Sequence, residues 1–227
     1  MIDGPVLLLH GVGLDHTIWD PVRAALRGTE TIAPDLPGHA GGRLAGPVTL
    51  ADLVPPLERP SHVVGFSLGG LVATRLAADR PDLVRSLTLV STVANRTHRE
   101  REAVRARLAA AAIDLDASYA AAIERWGTTD VAAVLARNDP ASYLACYSVF
   151  CEADAECWPL YRALDLPVLA ITGTDDPGST PTMAEAIADA CPRGLAMIVP
   201  GARHLLPLDA PQAVADAVVA NAGRSRG

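Results

Sequence analysis

Six short runs in this chain, residues 6–10, 31–33, 62–66, 86–90, 168–171 and 196–199, are apolar almost without interruption. A strand with one wet face alternates polar and apolar residues, whereas a strand covered on both faces has no reason to alternate. Helical patterns fall between the runs. Behind Ser67, the side chains of Leu68, Leu71, Val72 and Leu76 share one face, and the pattern stops at Asp79-Arg80-Pro81. Near the C-terminus, Asp209 reads as an N-cap with Pro211 in the first turn, ahead of Val214, Ala217 and Val218. These features predict an α/β fold: a doubly wound, mostly parallel sheet of about six strands covered by helices on both faces.

One stretch departs from this alternation. Residues 95–158 contain no credible strand and read as helices over 99–112, 117–126, 131–137 and 141–153. The expected organisation is therefore an α/β core made of residues 1–94 and 159–227, with 95–158 inserted as a helical cap. Six of the chain's nine aromatic residues lie in the insertion: Tyr119, Trp126, Tyr143, Tyr147, Phe150 and Trp158. Tyr143, Tyr147 and Phe150 fall on one helical face. They serve either as a small core for the insertion or as the apolar roof of a substrate pocket that also includes Trp126. Residues 223–227 are expected to fray.

Composition narrows the chemistry. All nineteen basic residues are arginine and none is lysine. Schiff-base enzymes, Ser-Lys dyads, P-loop enzymes and protein kinases each need a lysine, so these classes are excluded. A net charge of −7 argues against nucleic-acid or anionic-membrane partners and leaves a small molecule as the expected one. The four cysteines (Cys146, Cys151, Cys157 and Cys191) have no zinc-like spacing and read as buried reduced thiols. The first residues carry no basic stretch, and the apolar run at 6–9 is too short for a signal or membrane segment. The expectation is a cytoplasmic protein with no metal and no cofactor; its oligomeric state is not legible.

The chemistry-bearing motif is Gly65-Phe66-Ser67-Leu68-Gly69, a GxSxG placed between a predicted strand and a predicted helix. A sharp turn at that junction holds the serine in a strained conformation, and glycines two residues away remove the clash. A serine hydroxyl needs a base to accept its proton. Of the six histidines, His204 alone follows the last predicted strand, where the base is expected if the order is Ser, acid, His. His10 and His39, in glycine-flanked loops, read as structural. Asp175 and Asp176 follow the strand at 168–171, and Asp176 is the favoured acid to orient His204, with Asp175 in the turn. The expected oxyanion donors are the backbone N–H groups of Leu68, at a helix N-terminus, and Val12, in the loop His10-Gly11-Val12-Gly13.

With these residues in place, the chain resembles the α/β-hydrolases. The likeness rests on His10-Gly11-Val12-Gly13, Asp35-Leu36-Pro37-Gly38-His39, Gly65-Phe66-Ser67-Leu68-Gly69-Gly70, Gly173-Thr174-Asp175-Asp176 and Gly201-Ala202-Arg203-His204. It implies Ser67 as nucleophile, Asp176 as acid, His204 as base, and Val12 and Leu68 as oxyanion amides. Segments 14–19, 124–126 and 138–143 resemble 3-oxoadipate enol-lactonases more narrowly. Such lactonases carry an N-terminal hairpin that is missing here, so the first strand is expected to be central. A dicarboxylate substrate would need an arginine, for which Arg125 beside Trp126 is the first guess. The implied activity is a cofactor-free serine hydrolase of small carboxylic esters or lactones, acting through an acyl-enzyme. The same triad also serves C–C bond hydrolases, thioesterases and perhydrolases, and the scaffold serves non-turnover ligand receptors; the pocket separates these, not the fold.

Overall fold

The structure, a computed structural model, describes residues 2–226. In chain order its elements are β1 (Val6–Leu9), α1 (Asp20–Ala25), β2 (Thr31–Ile32), β3 (Ser61–Phe66), α2 (Leu68–Asp79), β4 (Val84–Val90), α3 (His98–Ile113), α4 (Leu115–Trp126), α5 (Ala132–Leu135), α6 (Pro140–Cys157), β5 (Val168–Gly173), α7 (Pro181–Ala190), β6 (Gly194–Val199), α8 (Leu206–Asp209) and α9 (Pro211–Gly223). All six predicted strands form, and they pair in parallel in the order β2-β1-β3-β4-β5-β6. Every residue of β1, β3 and β5 is buried. Their unbroken apolar sequences thus reflect burial on both faces. Helix α2 lies against β1, β3 and β4; α7 packs on β5 and β6; α9 packs on β4 and β5 and is joined there by α1.

Strand β1 does not occupy the centre of the sheet, as expected from the sequence, but lies second from one edge. Only β2 winds outward on that side, paired through Val6 with Thr31 and Leu7 with Ile32; the chain then returns to place β3 on the other flank of β1. The winding therefore reverses between β1 and β3. In open α/β sheets, ligands bind beyond the carboxyl ends of the strands at such a reversal. Strand β6 departs from the buried pattern too. It forms the opposite edge, which leaves Leu195 49% exposed.

The helical segment between β4 and β5 is set by strong local signals. Thr97 and Glu100 form a reciprocal capping box at the start of α3. Asp114 caps α4 by accepting from Ala117 N–H at 2.9 Å, and Gly127, at φ +74°, ends that helix. Asp139 caps α6, with Pro140 in its first turn. Helix α6 runs four residues past its predicted end, because Tyr143, Tyr147, Phe150, Cys151 and Cys157 keep its inner side buried throughout.

Two expectations at the C-terminus are corrected. Ala210, not Asp209, is the N-cap of α9. Pro207 starts a separate turn, α8, so that Asp209 closes it and accepts from Arg203 N–H at 3.2 Å. Nor does the described C-terminal end fray. The Arg224 guanidinium donates to the carbonyls of Val168 and Arg193 at 3.2 and 2.7 Å, tying it to β5 and to the turn before β6. Gly227, the last residue of the run expected to fray, lies outside the described residues.

All four cysteines are free and buried. Burial pushes the thiols of Cys146 and Cys151 up to about 11 and those of Cys157 and Cys191 up to about 12, so they stay protonated. Among the described residues no helix is long and apolar enough to cross a membrane.

Candidate active site

Strand β3 ends in a turn so tight that Ser67 takes φ +53° and ψ −115°, outside the regions that L-residues prefer. Its N–H donates to the Val90 carbonyl at 2.9 Å, locking the turn against β4. A Cβ on Gly65 would stand 2.2 Å from the Gly69 carbonyl oxygen, and one on Gly69 would stand 2.2 Å from the Leu9 oxygen. Neither position accepts a side chain without moving backbone. Leu68 opens α2, so its N–H has no acceptor within the helix and points where the helix dipole favours negative charge.

The loop after β1 approaches Ser67 from the other side of the β1–β3 reversal. Gly11 and Val12 line the same cavity as Ser67. The loop is turned by Leu14 N–H donating to the Gly11 carbonyl at 3.2 Å. Asn138, between α5 and α6, donates from Nδ2 to the Gly13 carbonyl at 2.7 Å. This contact escaped the sequence reading, since nothing local marks an asparagine whose partner is 125 residues away.

His10 supports the loop from beneath. Its Nε2 accepts from Leu36 N–H at 2.9 Å, which requires an unprotonated ring nitrogen. Burial, reinforced by the neighbouring His39, lowers its pKa to about 3. The unfolded histidine binds a proton below about pH 6.5, and the folded one does not until about pH 3. His10 therefore contributes stability in full above pH 6.5, and this is lost as pH falls, at up to about 1.4 kcal/mol per pH unit. Urea melts between pH 6.5 and 4 should give a shallower slope for His10→Gln than for the wild type. Equal slopes would remove His10 as the cause.

At the carboxyl end of β5 the chain turns through Thr174 and Asp175 to Asp176. Asp176 is buried, and its Oδ1 accepts from the N–H groups of Gly178 and Ser179 at 2.8 and 2.9 Å. Its Oδ2 accepts from His204 Nδ1 at 2.8 Å. Burial alone would raise this carboxyl, but the electrostatic attraction and hydrogen bond of His204 and the two backbone donors outweigh it, holding Asp176 below the usual carboxylate range. An ionised carboxylate only accepts, so the His204 proton sits on Nδ1 and Nε2 is left with its lone pair. Asp175 points outward and is bonded to the Thr174 hydroxyl at 3.0 Å. Of the two aspartates, Asp176 alone meets the histidine.

A cavity of about 530 Å³ joins these parts, and Val12, Ser67, Asp176 and His204 all line it. Such a volume suits a small ligand. The helical segment supplies much of the remaining wall, including Trp126, Tyr143, Tyr147 and Phe150. These rings also serve the protein core. Tyr143, Tyr147 and Phe150 are at most 8% exposed and contact one another in sequence, edge-to-face and then tilted, with centroid distances of 5.7 and 6.0 Å. Trp126 lies over the His204 ring at 6.1 Å and 20°, while Phe66 tilts against it at 5.2 Å. The imidazole is thus held between one ring of the sheet and one of the helical segment.

Comparison with known proteins agrees with this architecture. Residues 6–217 match the family model described as "Alpha/beta hydrolase family". The chain belongs to the alpha/beta hydrolase family. It is 30% identical over 238 residues to (E)-2-((N-methylformamido)methylene)succinate hydrolase of Acinetobacter baylyi, a match covering 95% of this chain and 89% of that protein. A shorter match, 41% identical over 97 residues, links it to pimeloyl-[acyl-carrier protein] methyl ester esterase of Neisseria meningitidis, covering 40% of this chain and 31% of that protein. In fold it is similar to the enol-lactonase from Burkholderia xenovorans LB400, with a TM-score of 0.82 and 24% identity, covering 97% of this chain and 94% of that one.

Proposed function

We propose that the protein is a cofactor-free serine hydrolase of small carboxylic esters or lactones. One observation carries this reading: Asp176 holds His204 by its Nδ1, and both line one cavity with a serine set in a strained strand-to-helix turn. In the proposed reaction Ser67 Oγ attacks the carbonyl carbon while its proton passes to His204 Nε2. Asp176 stabilises the imidazolium. The N–H groups of Val12 and Leu68 receive the negative charge of the tetrahedral intermediate. His204 then returns the proton to the departing alkoxide, leaving an acyl-enzyme. Water, deprotonated by His204, releases the acid and restores Ser67.

Residues 95–158 act as a cap in this reading, with Trp126, Tyr143, Tyr147 and Phe150 as the substrate walls. The names of the relatives support acyl-bond cleavage as the reaction class: one is a hydrolase of a methylenesuccinate derivative and another a methyl ester esterase. Four free, buried thiols support a reducing cytoplasmic setting. Treatment with a fluorophosphonate should add one phosphonyl group, mapped by mass spectrometry to Ser67, and steady-state hydrolysis of short 4-nitrophenyl esters should accompany it. Labelling without turnover would point to a ligand receptor, and absence of both would remove the serine-hydrolase reading.

A further inference from the structure

The loop that carries Val12 is held by peptide groups bonded head to tail. In a trans peptide the carbonyl and the N–H point in opposite directions, so fixing one end aims the other. Leu14 N–H, at one end of the Gly13–Leu14 peptide, donates to the Gly11 carbonyl at 3.2 Å. That carbonyl belongs to the Gly11–Val12 peptide, whose other end is the Val12 N–H. Among the described residues this N–H has no protein acceptor, and Val12 lines the cavity that holds Ser67. At the start of the series, the Gly13 carbonyl accepts from Asn138 Nδ2 at 2.7 Å. One continuous relay therefore runs from Asn138 through Gly13, Leu14 and Gly11 to Val12, and it ends on a free donor.

The direction of the first bond is fixed by its surroundings. Asn138 is buried, and its Nδ2 also faces the carbonyls of Leu135 and Val134 at 3.0 and 3.4 Å. Three acceptors around one amide terminus require the nitrogen there, not the oxygen. The helical segment closes on Gly13 from both sides of Asn138: a Cβ added at Gly13, where φ is +76°, would stand 2.8 Å from Tyr143 Cε2 and 3.0 Å from Leu135 Cδ2. No side chain fits between the loop and this bracket. His10 acts on the same relay. Its Nε2 accepts from Leu36, so the ring proton is on Nδ1 and is donated to the Gly11 carbonyl at 2.9 Å. Each such bond polarises the next peptide in the series. Arg137, bonded to Asp15, ties the same stretch of chain to the helical segment but lies outside the relay.

We propose that Asn138 is a positioning residue for the hydrolysis, aiming and polarising the Val12 N–H through the Gly13, Leu14 and Gly11 peptide groups. This deepens the hydrolase reading and rests on it. The segment that roofs the cavity thereby also sets one wall of the oxyanion site, so its docking on the Gly13 loop governs the chemical step and not substrate binding alone. A donor aimed in advance stabilises charge that develops only in the transition state, and its misdirection is felt in kcat.

The test uses 4-nitrophenyl butyrate as substrate and phenylboronic acid as inhibitor. Ser67 Oγ bonds to boron as its proton passes to His204, giving a tetrahedral boronate anion that needs the same donors as the reaction. Asn138→Leu removes the amide with little change in size. Its kcat and kcat/KM should fall equally, on the order of tenfold, with KM nearly unchanged, and its affinity for phenylboronic acid should fall in parallel. Asn138→Gln keeps the donor on a longer arm and should recover part of both. If Asn138→Leu does not fold, Asn138→Gln carries the test, with kcat and boronate affinity falling together by a smaller factor. Arg137→Ala cuts the tie outside the relay; it should lower Tm yet keep kcat within a few-fold of the wild type. Wild-type kcat and boronate affinity in the folded Asn138 variants would overturn the relay while the hydrolase stands. So would a loss of kcat in Arg137→Ala as large as that in Asn138→Leu, since any loosening of the loop would then suffice. A wild-type protein that neither hydrolyses the ester nor is labelled by a fluorophosphonate would remove the hydrolase reading and the relay together.

Discussion

Substituting Ser67 by alanine is expected to lower kcat/KM for short esters by at least about 10⁴-fold, with thermal stability essentially unchanged. The large kinetic effect follows from removing the atom that bonds to the carbonyl. In the proposed mechanism, what survives is the contribution of the Val12 and Leu68 amides and of substrate binding, which alone still accelerate reaction over water. The small stability effect follows from the backbone. At φ +53° the strain belongs to the Cβ, which alanine retains, and the lost hydroxyl is not a capping group for α2. Ser67→Gly sharpens the distinction: it should be equally inactive yet more stable than the wild type by about 1 kcal/mol or more, because glycine tolerates that conformation. Asp176→Asn should cost about 10⁴-fold by offering His204 the wrong hydrogen-bonding partner, whereas Asp175→Asn should stay within a few-fold of the wild type. Undiminished hydrolysis by Ser67→Ala would sink the assignment of Ser67 as nucleophile.

The parts of the molecule that could be read from sequence are those whose cause is local. Burial on both faces leaves its mark within a five-residue window, which is why the strands from Val6 to Val199 were legible with errors of a residue or two at most ends. The elbow was legible because Gly65 and Gly69 must lack side chains for reasons that lie two residues from Ser67. His204 and the pair Asp175-Asp176 follow the last two strands in chain order, which narrowed the pairing to two aspartates; the 2.8 Å contact with His204 belongs to Asp176. What was hidden depends on distant partners. The eccentric position of β1 reflects which flank β3 takes, a choice no single strand encodes. Asn138 reads as a helix-flanking residue until the Gly13 carbonyl is seen against it.

The largest stability effect is expected at another such hidden pair, Arg96 and Asp154. Their side chains are 4% and 0% exposed. Asp154 on α6 accepts from the Arg96 backbone N–H at 2.9 Å and from its guanidinium at 3.0 Å, and the guanidinium also lies 4.5 Å from the centre of the Phe150 ring. The contact joins the segment leaving β4 to α6, and so anchors one end of the helical segment to the sheet. Asp154→Ala leaves the buried Arg96 cation without its carboxylate, and takes the same partner from Arg101, whose Nη2 lies 3.6 Å from Asp154; it should destabilise the protein by about 3–5 kcal/mol. For a chain of this size that corresponds to a fall in Tm on the order of 10 °C. The double variant Arg96→Met/Asp154→Leu removes both charges together and should recover most of the loss, because the desolvation penalty disappears with the attraction. A double-mutant cycle read by urea unfolding gives the coupling directly. Single variants within 1 kcal/mol of the wild type would show that the pair does not hold the helical segment in place. A destabilised Asp154→Ala protein that still hydrolyses esters at the wild-type rate at low temperature would show that Arg96 contributes to the cavity wall and not to the chemistry within it.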